Sequence, residues 1–233
     1  MLPQLIELKG VALDFLFPRF CVGCGKEGDF ICGSCQASLM RIEPPVCPKC
    51  GKPQINEMLC VSCVNWEADI DAIRSPFRFE DVIRKAIHEF KYRNLRAIAS
   101  ELAKLLDDYI IENPIPCEVL VPVPLHGKKL KERGYNQSAM LAKELSRLTG
   151  LPVNDSCLIR SCYNVPQAKT RNVEERRQNV IGIFKCTSED LCGKKVLLID
   201  DVTTSGATLN ACALALKTAG AMSVWGLTLA REI

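Results

Sequence analysis

A chain of 233 residues, 48% hydrophobic and 24% charged, has room for one ordinary domain plus a smaller module, and too much apolar content for extensive disorder. A formal charge of +3 is too small to demand a nucleic-acid partner. Fourteen cysteines, with no basic leader or small-residue cleavage site ahead of them, point to a cytoplasmic chain whose thiols hold metal or do chemistry instead of forming disulfides.

The first twenty residues are apolar in patches broken by Glu7, Lys9 and Asp14, which predicts an amphipathic packing helix; no later stretch reaches the length of a membrane span. Eight cysteines then come in four CxxC pairs: Cys21 and Cys24, Cys32 and Cys35, Cys47 and Cys50, Cys60 and Cys63. "CVGCGKEGDFICGSC" (21–35) and "CPKCGKPQINEMLCVSC" (47–63) form an internal repeat, each with CxxCGK, a short spacer and a second CxxC. A CxxC turn offers two sulfurs to one tetrahedral ion, and glycine after the second cysteine permits the tight knuckle. Two structural zinc ions are expected, supplying folding energy that so small a segment lacks. Spacing leaves open whether they are held by the first and second pairs and the third and fourth, or in a crossed arrangement. The other six cysteines are scattered singly from Cys117 onward, so a domain boundary is expected near residue 65. Residues 1–65 would form the N-terminal helix and double zinc ribbon, and 66–233 a second domain. The first part holds six Lys/Arg and six Asp/Glu, so the positive excess lies in the second.

From residue 66 the pattern alternates. "IRSPFRF" (73–79) reads as a strand, and "DVIRKAIHEF" (81–90) puts Val82, Ile83, Ala86, Ile87 and Phe90 on one helical face. A second helix follows with Leu95, Ile98, Leu102, Leu105 and Leu106 as its apolar side. "EVLVPVPL" (118–125) is a buried-type strand, then comes a basic loop, then a helix ending at the cap Gly150. The strand 196–199, a helix over 207–219 stopped by Gly220, and the strand "SVWGLTLA" complete the chain. Apolar strands alternating with amphipathic helices predict an α/β domain, a mostly parallel sheet flanked by helices, with ligand sites outside the carboxyl ends of the strands.

"VLLIDDVTTSGATLNA" (196–211) is such a strand end. Backbone amides and the hydroxyls of Thr204, Ser205 and Thr208 suit a phosphate, with the helix dipole favouring its charge and Gly206 letting the backbone approach. Asp200 and Asp201 repel phosphate but suit ribose hydroxyls or a divalent cation. Acid pair plus phosphate loop implies a sugar phosphate, and "VLLIDDVTTSGAT" resembles the 5-phosphoribosyl diphosphate (PRPP) motif of type I phosphoribosyltransferases. With the double ribbon, "FKYRN" (90–94), "VPVPLHGKKLKERGYNQ" (121–137) and "VPQAKTRNVEERRQNVIGIF" (165–184), the whole chain resembles the ComF family of bacterial competence-associated proteins.

That resemblance implies a type I phosphoribosyltransferase fold and a part in natural competence, with PRPP, single-stranded DNA and competence proteins as partners and Mg2+ beside zinc as cofactor. It makes Asp200 and Asp201 the catalytic acids at the ribose hydroxyls, and Thr204, Ser205, Gly206, Ala207 and Thr208 the cradle of the 5-phosphate. Lys128, Lys129 and Arg133, with Lys131, fall in the loop that meets the diphosphate in this fold; the bland alternative is a solvated basic loop. Purine-salvage members carry an acid two residues before the loop glycine, where this chain has Thr204, so purine salvage is disfavoured and the acceptor is unidentified. The segment 165–184, with Gln167, Arg171, Arg176 and Asn179, fits either a closing lid or a solvated helix.

His88 and His126 are expected to be structural, the single cysteines Cys117, Cys157, Cys162, Cys186, Cys192 and Cys212 to be small buried hydrophobes, and Trp66 and Trp225 to pack. Two functions of different class fit. One is a transferase with an unknown acceptor; the other is a nucleic-acid-handling protein that keeps PRPP as a ligand and uses Arg84, Lys85, Lys91, Arg93 and Arg96 with Tyr92 on single-stranded DNA.

Overall fold

The structure is a computed structural model that describes residues 18–160 and 182–233. Of the helix expected over the first twenty residues only 18–20 are described, and they are not helical, Phe20 bridging to Glu27; of the segment 165–184 only 182–184 are described, leading into a strand, and Cys162 lies outside the described residues. No described helix is long and apolar enough to cross a membrane.

The repeat before residue 64 folds twice into the same knuckle. Gly25 and Gly51 take left-handed φ values of 76° and 73° and donate their amides to the Cys21 and Cys47 carbonyls at 2.8 Å. Each second pair opens a short helix, α1 (Gly33–Ala37) and α2 (Val61–Val64).

Past the ribbons, strand β1 (Ala72–Arg74) and strand β2 (Phe77–Arg78) replace the single strand expected over 73–79. Pro76 lacks an amide for the ladder, so the pairing breaks there. Helix α3 (Asp81–Tyr92) buries Ile83, Ala86, Ile87 and Phe90, the large ones contributing roughly 1.5–3 kcal/mol each. A 3-10 turn over Arg96–Ile98 leads into α4 (Ala99–Glu112), which buries Leu102, Leu105 and Leu106. Then come β3 (Val119–Pro122), α5 (Gly127–Arg133) and α6 (Gln137–Thr149), the last ending at Gly150 with φ 74°. Strands β4 (Leu158–Arg160) and β5 (Phe184–Cys186) form an antiparallel pair. Strand β6 (Lys195–Thr203), helix α7 (Ala207–Thr218) and strand β7 (Ser223–Arg231) close the chain.

The main sheet runs β1-β7-β6-β3, with β2 also on β7, and every pair in it is parallel, as expected. Two differences matter for the site. The basic stretch after β3, expected as a loop, is the helix α5, and β6 runs four residues beyond Ile199, so both acids belong to the strand.

Successive side chains of β6 face opposite sides of the sheet. Leu197 and Ile199 pack with α3, α4 and α6; Val196 and Leu198 pack with α7. Helix α6 therefore leaves β3 for one face, whereas α7 leaves β6 for the other. The crevice between the carboxyl ends of β3 and β6 is the topological switch point, where open α/β sheets bind ligands.

Candidate functional site

Strand β6 delivers Asp200 and Asp201 to this crevice. Asp201 is 6% exposed and pairs with Lys91 Nζ at 2.6 Å, from the last turn of α3. Asp200 accepts a hydrogen bond from Ser138 Oγ at 2.8 Å, at the start of α6. Sequence reasoning did not assign Lys91 or Ser138 to this site. Both are held by the "GYNQ" turn: Tyr135 donates its hydroxyl to the Phe90 carbonyl, next to Lys91, and Asn136 caps α6 through the Ser138 amide at 3.1 Å while donating to the Val123 carbonyl at 3.0 Å. The end of β3, the end of α3 and the start of α6 are thereby tied together around the acid pair.

Burial, and then the charge of Asp201, raise the Asp200 carboxyl to about 7; the Ser138 hydroxyl and Lys91 oppose the shift. Because the folded value lies above the unfolded one near 3.8, the stability this group contributes is fully present below about pH 4 and is lost as pH rises through 7. Asp200→Asn is expected to stabilise the fold by on the order of 4 kcal/mol at pH 8 and by almost nothing at pH 4. Urea unfolding at the two pH values measures this, and an equal effect at both contradicts it.

Beside the acids lies a cavity of about 530 Å3 lined by Lys91, Tyr92, Asn94, Lys129, Glu132, Arg133 and Tyr135. The Lys129 ammonium is pushed below its ordinary value by desolvation and then by the positive charges of Arg133, Arg160 and Lys91. Arg133 is oriented by Gln137 Oε1 at 3.1 Å and lies 4.9 Å over the Tyr92 ring. Of the residues expected to meet a diphosphate, Lys129 and Arg133 line this cavity, whereas Lys128 and Lys131 do not.

The turn after β6 places Gly206 as the cap of α7 with φ 77°. The first-turn amides of such a helix have no intrahelical partner. Ser205 is buried, its hydroxyl accepting from the Ala207 amide at 3.4 Å, and Thr204 and Thr208 are half-buried. Gly206 also answers to packing: a Cβ there would sit 2.7 Å from Ile73 Cδ1 and 3.1 Å from Trp66 Cη2. Gly206→Ala is expected to cost about 2–3 kcal/mol, from the left-handed backbone together with overpacking. Urea unfolding with an unchanged slope reads it out, and a loss under about 0.5 kcal/mol refutes it.

Neither histidine lines the cavity, and of the single cysteines among the described residues one, Cys212, is within electrostatic reach of the acid pair. His88 is exposed against Tyr92, and His126 caps α5 through the Lys128 amide. Cys157 and Cys212 are buried, Cys117 and Cys186 half-buried, and Cys192 is exposed, against expectation. Cys212, on α7, is close enough for the Asp200 charge to push its thiol up, after burial.

The eight ribbon cysteines settle the pairing question. Cys21, Cys24, Cys32 and Cys35 form one cluster and Cys47, Cys50, Cys60 and Cys63 the other, with all sulfurs of a cluster within 4.8 Å of one another. Sulfur separations of 3.6 Å (Cys24 to Cys32 and Cys50 to Cys60) match the edge of about 3.8 Å that a zinc–sulfur bond of about 2.3 Å requires of a tetrahedron. The repeat extends to the amides that support the sulfurs: Cys32 N donates to Cys21 Sγ and Cys60 N to Cys47 Sγ, each at 3.4 Å. The donor set and spacing fit zinc.

A family profile described as the double zinc ribbon domain matches residues 12–64, and one described as the phosphoribosyl transferase domain matches residues 136–232. The chain thus joins a double zinc ribbon to a type I phosphoribosyltransferase fold. It is 32% identical over 218 residues to "Competence protein ComFC" of Bacillus subtilis (strain 168), covering 89% of this chain and 86% of that one. It is 29% identical over 226 residues to "Competence protein F" of Haemophilus influenzae, covering 89% and 95%. "DNA utilization protein YhgH" of Escherichia coli (strain K12) is 26% identical over 206 residues, covering 84% and 89%. The chain belongs to the ComF family. Among solved structures, glutamine PRPP amidotransferase of B. subtilis superposes with a TM-score of 0.39 at 23% identity, over 56% of this chain and 26% of that one. Purine phosphoribosyltransferase of Pyrococcus horikoshii superposes with a TM-score of 0.36 at 17% identity, over 58% and 73%.

Proposed function

We propose that the chain binds PRPP with Mg2+ in the crevice between β3 and β6, as a cytoplasmic ComF-type protein serving the import or handling of transforming single-stranded DNA. In this reading residues 66–233 are the ligand-binding domain and residues 1–65 the ribbon module. The observation that carries it is the meeting of an acid pair with three cations, Lys91, Lys129 and Arg133, that line one cavity at the switch point of the sheet. A ligand that satisfies both halves presents hydroxyls to carboxylates and a polyanion to ammonium and guanidinium groups, and PRPP does both. Asp200 and Asp201 accept from the ribose hydroxyls, the turn Thr204, Ser205, Gly206, Ala207 and Thr208 holds the 5-phosphate, and Lys129, Arg133 and Lys91 face the diphosphate. Mg2+, when bound, neutralises diphosphate charge through oxygen ligands.

Lys91 has two partners to choose from. With no polyanion bound it neutralises Asp201; with diphosphate in the cavity it is shared, leaving Asp201 to the ribose. Transfer of the ribosyl group to an acceptor is the further step that would make the protein a phosphoribosyltransferase of nucleotide metabolism, and the acceptor is unassigned.

The names of the relatives support the DNA side of the proposal. The cations beside Tyr92 do not form one free strip, however. Lys91 turns inward to Asp201, Arg93 pairs with Glu89, Arg84 lies over Phe79, and Arg96 stacks 4.6 Å over Tyr135. Calorimetric titration with PRPP and Mg2+ at fixed salt tests the ligand. Saturable one-to-one binding supports the reading, and absence of binding defeats it. Affinity for single-stranded DNA that falls steeply with salt would instead assign the basic residues to nucleic acid.

A further inference from the structure

Among the described residues the second ribbon touches the turn 204–208, and the first does not. Arg231, the last residue of β7, is 1% exposed and lies between them. One terminal nitrogen donates to the Cys50 carbonyl, within the metal-binding knuckle, and the other to the Thr204 carbonyl at 3.4 Å, within the turn. Its Nε is buried with no hydrogen-bond partner, so the guanidinium is held there at a cost. Four thiolates around one Zn2+ carry a net charge of −2, a counter-charge for a buried guanidinium.

Two apolar contacts run in parallel with Arg231. Trp66 packs on the Cys47, Cys50, Cys60 and Cys63 cluster and lies against Gly206. Ile73, which also lies against Gly206, donates its amide to the Lys49 carbonyl at 2.8 Å, between Cys47 and Cys50. The first ribbon is seated elsewhere, on α4, where the Glu101 carboxylate accepts from the Phe30 and Ile31 amides at 3.1 and 2.8 Å.

We infer that Arg231 is a positioning residue that makes the second zinc site part of the phosphate-binding architecture, so that metal in Cys47–Cys63 and ligand in the turn 204–208 strengthen one another. This rests on the PRPP reading of the turn. Coupling between two sites is reciprocal: if the intact ribbon favours the ligand, the ligand must protect the ribbon. The effect is confined to the second ribbon.

The test exposes the full-length zinc-loaded protein to a chelator and a thiol-alkylating reagent, with and without saturating PRPP and Mg2+, and follows each cysteine by peptide mass spectrometry. PRPP binding is measured separately by calorimetry. In the wild type, ligand is expected to slow alkylation of Cys47, Cys50, Cys60 and Cys63 about fivefold or more, the lower end of ordinary coupling, and to leave Cys21, Cys24, Cys32 and Cys35 unchanged. Arg231→Gln is expected to cut that selective protection by half or more and weaken PRPP about tenfold. Arg231→Lys, which keeps the charge but loses the fork that reaches two carbonyls, should restore part of each. If Arg231→Gln does not fold, Trp66→Phe, whose smaller ring cannot reach Gly206, should halve the protection or more. Binding of PRPP with equal protection of both ribbons, or of neither, overturns the inference and leaves the ligand reading standing. No binding by the wild type overturns both.

Discussion

Replacing Asp200 and Asp201 together by asparagine is expected to reduce the affinity for PRPP with Mg2+ by at least about a hundredfold while leaving the protein folded. Each carboxylate is held in a specific arrangement, Asp201 by Lys91 at 2.6 Å and Asp200 by Ser138 at 2.8 Å, so an amide of the same shape can occupy each place. What vanishes is charge. A hydrogen bond to a charged group contributes about 1.5–3 kcal/mol, so two lost together come to roughly 3–6 kcal/mol, or two to four decades of affinity. Folding should not suffer, because asparagine removes the cost of burying the Asp200 charge. The amide at 201 also releases Lys91, which adds a cation to the cavity beside Lys129 and Arg133. An anion such as diphosphate alone should therefore bind the double variant no worse than the wild type. Calorimetry with both ligands separates the halves of the site. Unchanged PRPP affinity in the variant would place the ligand in the cationic cavity alone.

Stripping zinc is expected to have the largest effect on stability. Binding of a structural zinc ion is worth about 10–16 kcal/mol in ribbon-sized peptides, comparable to the whole stability of a domain. Here the damage should spread beyond the ribbons, because the second ribbon and the segment joining it to the first are built into the edge of the sheet. Ile73 N bonds to Lys49 O at 2.8 Å, Arg74 to Pro48 O at 3.0 Å, and Arg78 N to Met40 O at 2.9 Å. Hydrogen exchange on metal-depleted protein should show residues 20–63 unprotected and the amides of Ile73 and Arg78 exchanging faster by orders of magnitude. The amides of β6 should be less affected. Metal analysis of the native protein should return two zinc ions per chain. One ion, or unchanged exchange at Ile73 after depletion, would contradict the ribbon geometry.

Much of this could be read from the sequence, and the residues that could not share a physical reason. The CxxC repeat and the run Val196–Ile199 carry their own signals, ligand spacing in one and uninterrupted apolar burial in the other. The extension of β6 to Thr203 had no apolar signal; it is held by pairing with β7, Asp200 opposite Thr228 and Thr203 opposite Arg231. Helix α5 looked like a loop because "GKKLKER" has no buried face. Its lysines, leucine, glutamate and arginine are good helix formers, and His126 and Gly134 cap its ends. Pro76 carried the signal for the break between β1 and β2, but the reading of one strand over 73–79 did not use it. Lys91 and Ser138 were missed because their partners lie about 110 and about 60 residues away, a relation that only the packing of α3 and α6 on the sheet creates. The motifs "FKYRN" and "GYNQ" marked both neighbourhoods without saying what they hold.

Strand β7 comes from the last residues of the domain yet lies between β1 and β6, so Ala72 and Trp225 pair across about 150 residues of sequence. During synthesis the ribbons clear the ribosome early and can take up metal at once, but the strand that completes the second ribbon's seat arrives last. At about 5–20 residues per second this leaves roughly 8–30 s in which a metal-loaded ribbon stands beside an unpaired sheet edge. A nascent chain in that interval offers β1 to any other strand, so the yield of this protein should depend on how fast its second half is translated and on whether a chaperone guards that edge until β7 closes it.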